Sequence, residues 1–359
     1  MPGDVQALVE QVRSAAAASR PLRIRGGDSK RFYGEPVVGE PLETRGHSGI
    51  VSYVPSELVV TARAGTPLSE LEEELQARGQ MLAFEPPHFG LSATVGGMVA
   101  AGLAGPRRLA QGVATGSVRD SVLGARLLDG RGEVLTFGGQ VVKNVAGYDV
   151  SRLLAGSRGT LGVLLDVSLR VVPRPTHEET RVLHCTQADA LKSLQAWRGK
   201  PWPVSAVAWR DGLLWVRLSG AESAVSLAAS LVGGDAVSAE AAAAHWRDVR
   251  ELAFAGASPS ALWRLNLPAG VPPLDLPGDT LIEWLGQRRW LHCAEPAARI
   301  RACVAAHGGH ATRFRGGDPA EPVFPVTGPV IQRWEEGLRR AFDPHAIFNQ
   351  RGRHADAAL

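Results

Sequence analysis

The chain has 359 residues, 45% of them apolar, and 39 basic side chains against 36 acidic ones, for a net charge of +3. That length suits two domains, and that apolar share can build a sizeable core and excludes wholesale disorder. A near-balanced charge, with no dense basic run interleaved with aromatics, argues against a nucleic-acid partner.

The three cysteines, Cys185, Cys293 and Cys303, form no C-x-x-C pair. An odd number of scattered thiols suits a reducing compartment, and three cannot supply the four thiolates of an iron–sulfur cluster. The N-terminus lacks a basic region followed by an apolar one, and no run of about 18 apolar residues occurs. A cytoplasmic chain without a membrane span is therefore expected.

Residues 4–18 carry Val5, Leu8, Val9 and Val12 on one helical face, with Asp4 placed to cap it. A short apolar strand over residues 21–24 leads into Arg25-Gly26-Gly27-Asp28-Ser29-Lys30. Adjacent glycines let backbone approach a ligand with no Cβ in the way, and several N–H groups can then line one anion-binding concavity. Ser29 adds a hydroxyl and Lys30 a point charge. The same stretch also reads as an ordinary Gly-Gly turn with a solvated lysine. Further glycine-rich segments downstream favour the anion-binding reading.

Strands are predicted over residues 50–54 and 58–62, then a helix from Pro67 with Thr66 as its cap and Leu68, Leu71 and Leu75 on its inner face. Pro86 and Pro87 force an extended path. Residues 92–108 are almost all small, which suits backbone packed closely against something flat, or a tight helix contact. Asp129-Gly130 between two apolar runs predicts a hairpin, and residues 163–172 a buried strand.

Glycine-dense sequence stops at Pro173-Arg174-Pro175, the predicted domain boundary. Beyond it the pattern is α+β. Strands are predicted over 204–210 and 213–218 across Asp211-Gly212, and over 261–267, 280–285, 289–293 and 311–315. Helices are predicted over 221–231, 239–254, 295–307 and 330–342. The expected division is a domain over residues 1–174, a second over 176–330, and a helix and tail over 331–359 that return to the first.

The glycine-rich segments at 25–30, 93–97, 105–120 and 143–162 together resemble the vanillyl-alcohol-oxidase-type, or PCMH-type, FAD flavoproteins. The residues that carry the likeness are Thr94-Val-Gly-Gly-Met98, Gly105-Pro-Arg-Arg108, Arg119-Asp120, residues 142–149 and the ending Asp343-Pro-His-Ala-Ile-Phe-Asn349. Within that family the sequence is most similar to the FAD-binding E subunits of three-subunit bacterial glycolate oxidases (glycolate dehydrogenases). The resemblance implies an α+β fold with a two-part FAD-binding domain and an antiparallel-sheet cap flanked by helices. It implies that Arg25 to Lys30 cradle the FAD pyrophosphate, that Pro86 and Pro87 flank the cofactor's path, and that Thr94, Val95, Gly96 and Gly97 form a second phosphate-facing loop. Gly105, Arg108, Gly112 and Asp120 would approach the ribityl chain and ring, Gly156, Gly159, Gly162 and Val163 would pass the adenine end, and Asn349 would reach back from the tail. The tail departs from the family pattern, because Gln350-Arg351 comes after Asn349 where a nearby glycine is expected. No His or Cys stands at 28–30 or 91–93, so FAD is expected to be non-covalent, with His88 the nearest exception.

The implied partners are a second FAD subunit, an iron–sulfur subunit that receives the electrons, and a small 2-hydroxy acid, with membrane contact only through the complex. A carboxylate substrate needs a cation, and Arg264 and Arg289 among the Trp and Arg of the second domain are the candidates. Oxidising an alcohol also needs a base; no His, Tyr or Asp stands out in the sequence, and Tyr148 and His310 are named as candidates. Two other readings stay open: a self-sufficient dehydrogenase of the D-lactate type, and a non-catalytic flavin scaffold. No dinucleotide fingerprint, P-loop or nucleophile elbow occurs, and the ten histidines suggest no metal site.

Overall fold

The computed structural model describes residues 5–109, 116–139, 149–256 and 260–351. The chain divides into two units, the first within Met1–Leu103, Ser117–Arg174 and Val326–Leu359 and the second within Ala104–Gly116 and Pro175–Pro325. The break between Arg174 and Pro175 falls in the double-proline stretch. Two boundaries differ from the sequence reading: residues 104–116 go with the second unit, and the return to the first begins at Val326.

The first unit is built on a five-stranded antiparallel sheet in the order Ile50–Val54, Val59–Arg63, Val163–Arg170, Val122–Leu128, Val134–Gly138. The middle strand, Val163–Arg170, is buried at seven of its eight positions, so its polar residues need partners inside the protein. Ser168 finds Thr61 at 2.8 Å, and Asp166 takes hydrogen bonds from His47 Nε2 at 3.0 Å and Arg126 Nη1 at 2.6 Å. Burial pushes the Asp166 carboxyl up, but the hydrogen bonds and charges of His47 and Arg126 together outweigh it and hold the group below the usual carboxylate range.

Beside that sheet, Leu22–Arg25 runs parallel to Glu40–Glu43. The helix Val5–Ala17 presses Leu8, Val9, Val12 and Ala15 onto Leu22, Leu42, Leu128 and Val163, and Ile347 and Phe348 of the tail complete that core. The apolar spacing read in the sequence is thus the face that packs. Thr66 is not the cap of Leu68–Ala77; Pro67 occupies that position, and Thr66 Oγ1 instead accepts from Gly49 N at 2.9 Å and donates to Gly49 O. Asp129 likewise lies in a longer connection than a two-residue turn, its buried Oδ1 accepting from the backbone N–H groups of Arg131 and Glu133.

The second unit is one eight-stranded antiparallel sheet in the order Asp235–Ala236, His177–His184, Leu213–Gly220, Val204–Arg210, Asp279–Glu283, Arg288–Cys293, Ala261–Asn266, His310–Arg315. The Asp211-Gly212 turn has φ of 50° and 79°, the left-handed pair that a two-residue hairpin requires. Strand alternation gives the sheet two different faces. Leu214, Val216 and Leu218 pack under the helices Gln187–Trp197 and Glu222–Val232, and Trp263, Leu265 and Leu291 pack under Ala297–Ala306. The alternate residues, among them Arg217, Arg264 and Trp290, fall on the other face. His177–His184 and Gln187–Trp197 are not among the elements the sequence predicts.

The short segment from Ala104 is part of this unit for a definite reason. Arg107 Nη2 lies 2.8 Å from Glu178 Oε2, Trp284 Nε1 donates to Gly105 O at 2.9 Å, and the Arg108 guanidinium sits 4.7 Å from the Trp284 ring. Trp284 and the next residue, Leu285, both adopt left-handed backbone, φ 52° and 54°. Among the described residues no helix is long and apolar enough to cross a membrane.

Candidate functional site: a glycine-walled cationic cavity and an arginine-bearing sheet face

The first unit holds a cavity whose walls come from three chain segments far apart in sequence. Gly26 to Arg31 form one wall, Thr94, Gly96 and Gly97 a second, and Ser157 to Thr160 with Gly162 a third; Asn349 closes it from the tail. The first two walls meet so closely that a Cβ on Gly27 would lie 1.4 Å from the Ser92 carbonyl oxygen, and one on Gly26 would lie 2.8 Å from Thr94 Oγ1. Only bare backbone fits there, which is the physical content of the Gly-Gly signal. Thr94 caps the helix Val95–Ala101 by accepting from Gly97 N at 3.2 Å.

Five basic side chains, Arg23, Lys30, Arg31, Arg158 and Arg339, line this cavity among the described residues, against two acidic ones, Asp28 and Glu35. Apolar surface comes from Ile24, Val37, Ala64, Ala100, Ala101 and Leu164. Backbone walls without Cβ atoms, a surplus of cations and an apolar flank fit a cofactor that joins a diphosphate to an aromatic ring.

Several expected residues are gathered here: Gly26, Gly27, Asp28, Ser29, Lys30, Thr94, Gly96, Gly97, Gly159, Gly162 and Asn349. Others stand apart from the lining. The Arg25 side chain is 43% exposed and reaches Asp28 Oδ2 at 3.3 Å and Glu43 Oε1 at 3.2 Å. Val95 and Val163 are fully buried behind the walls. Gly156 donates to Val99 O, bracing the third wall against the helix Val95–Ala101. Pro86 and Pro87 stay outside the lining, but their loop is tied to it, since Lys30 Nζ donates to His88 O at 3.1 Å. His88 Nε2 lies 2.9 Å from Glu72 Oε2. Asp120 accepts from Ser117 N and Ser117 Oγ at 2.6 and 3.0 Å. Gly105 and Arg108 belong to the second unit, and Gly112 and Tyr148 lie outside the described residues. Sequence reasoning passed over Arg23, Arg31, Arg158 and Arg339; only Arg23 and Arg31, which flank the glycine motif, left a local signal.

In the second unit the register separates the two arginines proposed as one clamp. Arg264 pairs with Trp290, and Leu265 with Arg289, so Arg264 and Arg289 project from opposite faces of the sheet. Arg289 is 2% exposed and donates to the carbonyls of Gly286, Pro272 at 2.7 Å and Val271. Burial lowers its pKa to about 10. Those bonds hold the loop before Asp279–Glu283, and Arg289 is no arm of a substrate clamp. Its neighbour Arg288 is the residue that shares a face with Arg264.

Arg288 also settles the state of His310. Arg288 Nε donates to Asn266 Oδ1 at 2.9 Å, which turns Asn266 Nδ2 toward His310 Nε2, also at 2.9 Å. An amide N–H can only donate, so Nε2 accepts and the ring is neutral with its proton on Nδ1. Burial and the charges of Arg264 and Arg288 push the His310 pKa down, in the same direction. The lone pair a base would use is already taken by Asn266.

A family model described as "FAD binding domain" matches residues 1–138. Glycolate oxidase subunit GlcE of Escherichia coli is 46% identical over 345 residues, 96% of this chain and 95% of that protein. Other relatives match about a third of the chain: glycolate oxidase subunit GlcD of Bacillus subtilis is 31% identical over 37% of this chain and 27% of that protein. The D-lactate dehydrogenase of Archaeoglobus fulgidus is 37% identical over 32% of this chain and 25% of that protein. Among solved structures, an alkyldihydroxyacetonephosphate synthase superposes with a TM-score of 0.69 at 16% identity, covering 98% of this chain and 76% of that one, which is a likeness of fold.

Proposed function

Because the chain belongs to the family of the glycolate oxidase subunit GlcE, we propose that it is the FAD-binding subunit of a glycolate oxidase (glycolate dehydrogenase), taking part in the oxidation of glycolate to glyoxylate. It is an FAD-dependent oxidoreductase with FAD as its cofactor. The observation that carries the substrate reading is likeness to the Escherichia coli subunit along 96% of the chain, second unit included.

Bound FAD supplies the hydride acceptor. This chain's own residues do the binding and positioning. The Gly26–Lys30 and Thr94–Gly97 walls hold the diphosphate, Asn349 joins the tail to the third wall, and attachment is non-covalent because Asp28, Ser29 and Lys30 stand where a His or Cys would be needed. On the second unit Arg264, with Arg288 on the same face, orients the carboxylate of the 2-hydroxy acid. Neutral His310 presents its Nδ1–H as a donor rather than a base, so the hydroxyl proton leaves to another group.

The three cysteines of this chain fall short of the four a cluster needs, so an iron–sulfur subunit takes the electrons onward. A second FAD subunit belongs to the same assembly, which works in the cytoplasm or at the inner membrane face through its partners. The D-lactate dehydrogenase match favours a second reading, a self-sufficient 2-hydroxy-acid dehydrogenase, though it spans only 117 residues.

The test is the visible spectrum of the purified chain before and after anaerobic glycolate. A flavin that stays oxidised until partner subunits are added supports the subunit reading. Bleaching by D-lactate in the isolated chain, with turnover on a dye acceptor, supports the second. A flavin that no hydroxy acid reduces, with or without partners, would leave only a binding scaffold.

A further inference from the structure

One half-buried cation of the flavin cavity stands two residues before the arginine of the motif. The strand Leu22–Arg25 carries two arginines before the glycine pair. Arg25, the motif residue, is 43% exposed, engages Glu43 and Asp28, and does not line the cavity. Arg23 lines it, with only 18% of its side chain exposed. Its Nη1 is shut off from solvent and has no hydrogen-bond partner. The nearest acidic oxygen, Asp28 Oδ2, is 3.6 Å away, close enough for Coulomb attraction and too far for a hydrogen bond.

The geometry points to Arg23 as the guanidinium that meets the diphosphate of FAD, an inference that rests on the FAD reading and names a residue neither the motif nor the comparisons assign. A buried N–H left without an acceptor is unfavourable, and a guanidinium that turns it toward an anionic oxygen in the cavity sheds that penalty while gaining a charge-assisted bond. The planar fork of arginine can meet two phosphate oxygens at once. Lys30 does not duplicate the role: its Nζ already donates to His88 O and Ser29 Oγ and so ties down the proline loop. Arg25 in turn holds Asp28, whose left-handed backbone at φ 57° turns the chain into the Ser29–Lys30 wall.

The experiment titrates FAD, ADP and riboflavin into flavin-free full-length chain, with flavin fluorescence or heat as the signal, for wild type, R23M, R23K and R25M. R23M should bind FAD and ADP roughly 10- to 100-fold more weakly and leave riboflavin binding unchanged. R23K, which keeps the charge, should recover part of the loss, and R25M should lose less than R23M. Far-UV circular dichroism and a melting curve check each fold; if R23M does not fold, R23Q carries the same comparison. FAD binding by R23M within about twofold of wild type, or a loss for FAD without a loss for ADP, overturns the assignment. Wild type that binds no FAD overturns the cofactor reading itself, a separate result.

Discussion

Asn349 and Ile24 stand 325 positions apart in the chain, and the Asn349 Oδ1 accepts a 2.8 Å hydrogen bond from the Ile24 backbone N–H. The same amide donates through Nδ2 to Arg158 O at 2.7 Å, while Asn349 N bonds Leu22 O at 2.9 Å. One side chain thus fastens the tail to the strand that leads into the glycine motif and to the third wall of the cavity. Asn349 adopts φ 43°, a left-handed conformation that asparagine tolerates better than most residues.

Asn349→Ala removes both side-chain bonds and leaves a half-buried N–H and C=O wanting. A loss of roughly 1–3 kcal/mol is expected in chemical denaturation, together with weaker FAD binding by fluorescence titration. Unchanged FAD affinity in a destabilised variant would show that the tail closes the fold without shaping the cavity.

Gly27→Ala sets a Cβ 1.4 Å from the Ser92 carbonyl oxygen, where backbone on both sides must give way. The purified variant should carry little or no FAD and show no visible flavin band. Full flavin occupancy would mean the two walls separate more readily than their contact suggests.

Arg264 and Arg289 should respond in different ways. R264M is expected to raise the KM for the hydroxy acid about tenfold or more with the fold intact, through loss of a charge-assisted contact. R289M strips three carbonyls of their donor and should cost roughly 2–4 kcal/mol of stability. Steady-state kinetics and melting curves on both variants separate the two roles; a KM effect confined to R289M would reverse the assignment.

Two buried carboxylates should pull the stability of the first unit in opposite directions with pH. The folded Asp166 has its pKa held below the unfolded value, so its contribution is present above the unfolded pKa and lost as pH falls through the folded one. Asp343 is raised by burial, with the N–H groups of Phe348 and Ile347 at 2.8 and 3.0 Å opposing the rise only in part. Its ionised form is penalised in the fold, so stability is gained as pH falls from the folded pKa toward the unfolded one. Denaturant titrations between about pH 3 and pH 7 should show Asp166→Asn removing the acid-side loss and Asp343→Asn removing the acid-side gain. A D166N curve parallel to wild type would mean that other groups govern acid sensitivity.

The sequence by itself determined what depends on neighbours along the chain. Helical spacing placed Leu8, Val9 and Val12 on the packed face, and Asp211-Gly212 announced a left-handed turn. The Gly-Gly and Thr-Val-Gly-Gly segments announced closely approached backbone, although the contacts that forbid a Cβ, such as Gly27 against the Ser92 carbonyl, join residues far apart in the chain. What needed the tertiary structure was every decision about direction and pairing. Period two sets neighbouring strand residues on opposite faces, but only the register across Ala261–Asn266 and Arg288–Cys293 showed that Arg288, and not Arg289, shares a face with Arg264. Arg23 and Arg25 look equivalent in the chain, and their separation arises from Glu43, Asp28 and the cavity wall, which meet only in the fold. Thr66 looked like a cap until Gly49, 17 positions away, claimed its hydroxyl. Side chains that can bond to more than one partner take the one that folding brings within reach, and a linear pattern carries no information about that distance.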